Sequence, residues 1–363
     1  MTDSGNVDVG QRPEFGVLTL PHYTFDAAKD GFPGLHLRTY NVDRGRLENH
    51  LFERCLEAGA VVLDKSRVTA VTLGDPHETV ADVDGQERVR VRSRWVVDAS
   101  GRVGFLARRL GLRKTREHEV NAVWFRLDGR IDPDRWTDDP RFHSRTRPDL
   151  RWLSTNHLMG HGYWVWLIPL PTGATSVGIM TDPTLHPFDD LNRVDKLMAW
   201  LAVREPQLAS AVSSHEILDF HRMKTKSYLA KRAFSRDRWA LCGESAYYVD
   251  ALYSPGGDFI AVGNTLITRM VQADYAGEPH RLSAYSHFAD PLLRGMFRHY
   301  LGLFHRSYRL MGHPAPLSIN HLFSPFGPST SRARYIWETA MRSRSNWRRT
   351  SALWMRSVAR WRE

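Results

Sequence analysis

The feature that most limits the fold of this chain is a pattern that stops and later resumes. Residues 94 to 113, RWVVDASGRVGFLARRLGLR, read as an apolar strand, a turn of small residues and a helix. Residues 238 to 265, RWALCGESAYYVDALYSPGGDFIAVGNT, repeat that order and add a second glycine turn, Pro255-Gly256-Gly257, that opens onto a helix. The sequence between them has another texture. Trp124-Phe125-Arg126-Leu127, Tyr163 to Pro169 and Thr175 to Met180 are aromatic or alternating runs, the mark of antiparallel strands, with the Pro- and Asp-rich segment 131 to 150 as a connection. The expected fold class is therefore α/β with an α+β character: a Rossmann-like layer interrupted by an antiparallel sheet, then a helical C-terminus.

The flanks fit this plan. Residues 43 to 59 place Leu47, Leu51, Cys55 and Ala58 on one helical face and stop at Gly59. Residues 60 to 74 and 87 to 92 read as strands with one solvated face. The predicted boundaries are 1–117 for a first part of the α/β layer, 118–228 for the antiparallel sheet, 229–290 for the return to the layer, and 291–363 for a helical region.

Composition excludes more than it selects. The 363 residues are 42% hydrophobic with a net charge of +10, so a folded core is expected, and the charge favours anionic partners without naming one. No helix-turn-helix, zinc or RNP-like pattern accompanies that charge, and nucleic acid is not an expected partner. Cys55 and Cys242 have no paired framework and are expected as two buried thiols in a reducing compartment. The polar start is unlike a signal peptide and no apolar run reaches ~20 residues, which predicts a cytoplasmic protein. Near the end, Trp337, Met341, Trp347, Trp354, Val358 and Trp361 fall on one helical face among arginines. Such a helix can lie on a membrane surface, but packing against the body of the protein is the preferred reading.

Several chemistries compete for the titratable residues. Gly243-Glu244-Ser245 after a strand has the look of a nucleophile elbow, with Ser245 as nucleophile and Asp258 and His287 or His299 as partners. Tyr247 stands where that turn needs a glycine, which argues against a hydrolase. His157 and His161 have metal-ligand spacing for a helix, yet their neighbours read as loop and strand. No metal is predicted.

Four segments taken together carry a family resemblance: Asn41-Val42-Asp43-Arg44, Val96 to Arg102 ending in D-A-S-G-R, the W-x-W-x-I-P of Trp164, Trp166, Ile168 and Pro169, and the stretch from Gly243-Glu244 to Ser254-Pro255-Gly256-Gly257-Asp258. In this order the chain resembles the flavin-dependent halogenases and the related FAD-dependent monooxygenases and reductases. The resemblance implies an FAD-binding domain of the glutathione-reductase type and an antiparallel substrate domain. It implies cofactor contacts at Arg44, Asp98, Gly101, Gly243, Glu244, Pro255, Gly256, Gly257 and Asp258, with Trp164, Trp166 and Pro169 near flavin and substrate.

Glycines admit backbone N–H groups close to a ligand, and the following helix aims its positive end at the ring edge that becomes negative on reduction. Glu244 stands where relatives have aspartate, one methylene shorter. No G-x-G-x-x-G occurs in the chain, so FAD is expected to bind weakly, and no lysine matches the family's catalytic one. The implied function is oxidation or halogenation of an aromatic or carrier-bound small molecule in secondary metabolism, with a flavin reductase, or a chain supplying the dinucleotide-binding unit, as partner. The alternatives are a relic or partner subunit without redox activity, and a geranylgeranyl-reductase-like reductase.

Overall fold

The computed structural model describes residues 16–19, 39–85, 87–143 and 151–313. In chain order, strands β1 (Gly16–Thr19) and β2 (Thr39–Val42) pair antiparallel and lead into helix α1 (Arg44–Glu57). Strands β3 (Ser66–Thr72), β4 (His77–Val83) and β5 (Glu87–Ser93) form a three-stranded antiparallel sheet. Strand β6 (Val96–Asp98) is followed by a short 3-10 turn and helix α2 (Phe105–Arg109). The long strand β7 (Arg113–Leu127), helix α3 (Pro140–His143), strands β8 (Asn156–Gly160), β9 (Tyr163–Pro169) and β10 (Thr175–Thr181), helices α4 (Val194–Arg204) and α5 (Pro206–Ser213) and strand β11 (Ile217–Ala230) come next. The chain then returns through β12 (Trp239–Leu241), β13 (Tyr247–Tyr248), α6 (Pro255–Tyr275) and α7 (Pro279–Ser307).

The interrupted pattern is resolved by one pairing. Strand β12 lies parallel to β6, with Trp239 opposite Val96 and Leu241 opposite Asp98, so both strands end on the same side. The intervening residues build a six-stranded sheet in the order β13-β11-β7-β10-β9-β8. All its pairings are antiparallel, as the alternation predicted. The sheet starts at Arg113, five residues before the expected boundary, and takes β13 from the returning segment. Two-residue β13 thus fastens the end of the α/β layer to the sheet.

The six-stranded sheet is two-faced. One face presents Val123, Phe125, Leu127, Tyr163, Val165, Leu167, Val177 and Ile179, all buried against Leu197, Trp200 and Leu201 of α4 and Leu208 and Val212 of α5. Strand parity sends Trp164, Trp166, Ala122 and Trp124 to the other face. Pro169 shares parity with Leu167, so it falls on the face opposite Trp164 and Trp166.

Four further expectations differ from the structure. Helix α1 forms, capped by the Asp43 side chain at Gly45 and Arg46, but none of its residues is buried and Leu51 is 51% exposed. The reason is that none of the described elements packs over its apolar face. Cys55 shares that exposure, and Cys242 is only half-buried, with Sγ 2.8 Å from Asn264 Oδ1, so neither is a core thiol. Residues 60–65 are not strand; β3 begins at Ser66. Helix α7 begins at Pro279, twelve residues ahead of the boundary expected at 291. The tryptophan and arginine tail lies outside the described residues.

Candidate functional site

The site assembles where β6 and β12 end. After Asp98 the backbone must turn sharply, and Gly101 and Gly104 do so at φ +60° and +54°, a region that suits glycine. The Asp98 carboxylate is spent on this turn: Oδ1 accepts the Ser100 N–H at 2.8 Å and Oδ2 the Leu106 N–H at 2.7 Å. Asp98 is thereby a scaffold residue that caps α2, and it shapes the pocket wall rather than offering a free carboxylate. Ser245 ties the neighbouring strand end to it, its hydroxyl lying 2.5 Å from the Asp98 carbonyl oxygen.

The second turn begins at Gly243, φ +53°, where a Cβ would come within 2.9 Å of Ile260 on α6. Close approach of turn and helix therefore requires glycine. Tyr228 donates to the Glu244 carbonyl oxygen at 2.7 Å, and a ladder of Arg113, Tyr228, Tyr248 and Arg102 stacks alongside. Among the described residues no hydrogen bond ends on the Glu244 carboxylate. Burial pushes its carboxyl above the usual carboxylate range, opposed by the Arg102 and Arg44 guanidinium groups. Arg44 is otherwise exposed and pairs with Glu48, its Nε at 3.0 Å.

Helix α6 supplies the third part. Its N-cap, Ser254, makes no side-chain cap, and Tyr253 and Ser254 have φ +60° and +55°. Around Gly256 and Gly257 nothing lies within 4 Å of where a Cβ would stand. Pro255 has no N–H and the Gly257 N–H donates to the Ser254 carbonyl oxygen at 3.0 Å, so the Gly256 N–H and the positive end of a 21-residue helix are what this turn offers to an electron-rich ligand edge. Asp258 does not share in it. Its Oδ2 accepts the Tyr300 hydroxyl at 2.5 Å, and burial raises its carboxyl. Tyr247 explains the fixed placement of the helix: it is 1% exposed and stacks on Phe259 at 5.3 Å.

On the sheet, Trp166 lies across Gly178, whose added Cβ would sit 1.9 Å from the indole Cζ2. Trp164 is buried, its Nε1–H donating to the Tyr308 hydroxyl at 3.0 Å. His157, singled out for metal, is in strand β8 with its ring 5.5 Å from Trp164 and 6.0 Å from Tyr253, so it bridges sheet and helix turn. Among the described residues no cluster of His, Cys, Asp and Glu could hold a metal ion, and no helix is long and apolar enough to cross a membrane. Ser245 is 2% exposed and bonded to backbone carbonyls, which leaves no room for a nucleophile elbow. Sequence reasoning missed Asp250 and its buried neighbours His118 and Tyr308, whose oxygen and nitrogen atoms converge at 2.7 and 2.9 Å. Residues 132 positions apart carry no local signal of pairing.

A cavity of about 630 Å³ opens at the other end of the parallel strands, lined by residues that include His77, Arg236, Arg238 and Trp239. Two of its charged residues are paired, Arg238 with Asp75 at 2.6 Å and Asp274 with Arg94 at 2.7 Å. The carboxyl ends of the strands are where open α/β sheets take ligands.

Parallel strand ends with glycine turns, an uncapped helix N-terminus and a facing aromatic sheet define the class: a nucleotide-cofactor fold with an inserted antiparallel sheet. The comparisons with known proteins narrow it. Residues 25–128 match the lycopene cyclase protein family. Flavin-dependent halogenase chlA of Dictyostelium discoideum is 26% identical over 272 residues, covering 68% of this chain and 44% of that protein. The 1H-pyrrole-2-carbonyl-(peptidyl-carrier protein) chlorinase of Pseudomonas fluorescens is 29% identical over 221 residues, covering 60% of this chain and 47% of that one. Among solved structures, CmlS, a flavin-dependent halogenase, superposes with a TM-score of 0.61 at 23% identity over 72% of this chain and 46% of its own. The chain resembles the flavin-dependent halogenases and shares their fold, and it spans less than half the length of these relatives.

Proposed function

We propose that this chain forms the flavin- and substrate-facing part of an FAD-dependent oxidoreductase of the halogenase and monooxygenase type. The observation that carries the reading is the open space above Gly256 and Gly257, beside the Gly243 turn. The residues present fit the cofactor. Glu244, with a carboxylate that meets no hydrogen bond among the described residues, accepts hydroxyls of the ribityl chain, and Arg102 stands beside it. The Gly256 N–H and the positive N-terminal end of α6 hold the ring edge that gains negative charge. When bound, FAD supplies two-electron chemistry with O2.

The protein's own part is orientation and exclusion of water. Half-buried Trp166 and Trp124, backed by buried Trp164, give the sheet face an apolar, planar surface suited to an aromatic or carrier-bound ring. A flavin reductase as electron donor and a cytoplasmic location, consistent with two unpaired cysteines, belong to the same proposal. A second reading, a chain completed by a further strand, rests on β6: among the described residues it pairs only with β12, and Val97 is 43% exposed. The test is direct. The purified chain is titrated with FAD, then supplied with a flavin reductase, halide, O2 and electron-rich aromatic or carrier-bound acceptors, and products are read by mass. A mass gain of one halogen or one oxygen supports the reading, and flavin turnover without any product counts against it.

A further inference from the structure

Asp250 lies between β13 and α6 with its side chain fully buried. Its Oδ1 accepts the Leu252 N–H at 2.9 Å. Its Oδ2 meets two donors from distant parts of the chain, His118 Nε2 of β7 at 2.7 Å and the Tyr308 hydroxyl, just past α7, at 2.9 Å. The Tyr308 oxygen accepts in turn from Trp164 Nε1 at 3.0 Å. His118, Tyr308 and Trp164 are each 5% exposed or less. A carboxylate in such surroundings is costly unless it is hydrogen-bonded from several sides, as it is here.

A second observation concerns the segment that Asp250 opens. Tyr253 and Ser254 both sit in the left-handed region, where residues with a Cβ are strained, and they directly precede the uncapped end of α6. Two consecutive strained residues persist only when their surroundings over-determine them. The contacts that hold them include the Asp250 hydrogen bonds, the Ser254 N–H on the Ala251 carbonyl oxygen, and the Tyr253 ring against His157 and Phe304.

We infer that Asp250 is a positioning residue: its network with His118, Tyr308 and Trp164 holds the strained 251–258 turn and couples that turn to the tryptophan face of the sheet. What the turn binds rests on the proposed function; the coupling does not. The network is then a two-way link, in which a shift of the buried Trp164 indole, whose ring lies 5.5 Å from Trp166, is felt at the helix end, and the reverse.

Hydrogen exchange of the 251–258 amides in the full chain, without ligand, tests this. Asp250→Asn and Tyr308→Phe should speed exchange there on the order of tenfold, the equivalent of one lost buried hydrogen bond to a charged group. Trp164→Phe should speed it by about threefold through the network alone. Tyr163→Phe, which removes a buried hydroxyl bonded to Glu205 on the opposite face, lowers global stability and serves as the control. The inference is overturned if protection of 251–258 is unchanged in both Asp250→Asn and Tyr308→Phe, or if Tyr163→Phe loosens the segment equally. FAD titration of the same variants is read separately. Altered exchange in a protein that binds no flavin upholds the coupling and removes only the flavin reading.

Discussion

The antiparallel sheet and the α/β layer of this protein are built to different degrees of closure. The sheet buries Phe125, Val165 and Val177 completely beneath two helices, and Leu197 of α4 with them. The layer has two parallel strands, a helix α1 with no buried residue, and exposed Leu51, Leu56, Val97 and Val103. Elsewhere in the layer Trp239, Phe259 and Phe297 are buried as deeply as the sheet core, so its less closed part is the α1 and β6 edge, next to the glycine turns. A cofactor that binds there adds stability in proportion to its affinity, and it does so to the less closed region.

That contrast can be broken by mutation. Phe125→Ala removes a ring from the closed core and should cost about 3–5 kcal/mol, whereas Leu51→Ala should cost less than about 0.5 kcal/mol. Urea unfolding of both variants decides it; equal losses would show that α1 is as well packed as the sheet. Next in size is Gly178→Ala. Its Cβ cannot coexist with the Trp166 indole, so the ring must leave the sheet and lose its bond to Ser176. A cost of about 1–3 kcal/mol is expected, with a changed near-UV circular dichroism spectrum.

Gly243→Ala should be milder, about 1–2 kcal/mol from its left-handed φ, together with displacement of Ile260. Its loss should fall on FAD affinity as well as on the melting temperature, since Gly243 is buried against α6 beside the proposed ligand site. An affinity equal to wild type would place the ligand elsewhere.

The smallest effect is electrostatic. Burial raises the Glu244 carboxyl in the folded protein above its unfolded value. Between those two values the folded state binds more protons, so this group's contribution to stability falls as pH rises through that window, and the cost is fully present above it. Glu244→Gln removes the ionisation. It should stabilise the ligand-free chain at neutral pH and flatten that part of the stability profile in denaturation measured from acid to neutral pH. A profile unchanged by the substitution would mean that Glu244 ionises at no cost.

These regions also differ in how legibly they are written. Alternation put Trp164 and Trp166 on one sheet face, and the small-residue turns marked the ends of β6 and β12, because both signals are local. The seat of Trp166 on Gly178 was not legible, since it depends on the register of β9 against β10. Nor was the use of Asp98 to cap α2, because a carboxylate after a strand looks the same whether it binds a ligand or its own backbone. Asp250, His118 and Tyr308 meet only through the fold. The exposed face of α1 carries an amphipathic pattern, but a pattern does not say what covers it.

The central claim, that the open space at the start of α6 receives the flavin ring, is tested most directly by Gly256→Leu. The backbone there accepts a side chain and nothing lies within 4 Å of the new Cβ, so the substitution fills the space without disturbing the fold. Flavin fluorescence titration of the full chain should show FAD bound by the wild type and a Kd raised at least about tenfold in the variant, at an unchanged melting temperature. Equal FAD affinity in the two proteins, or no binding by either, would contradict the account.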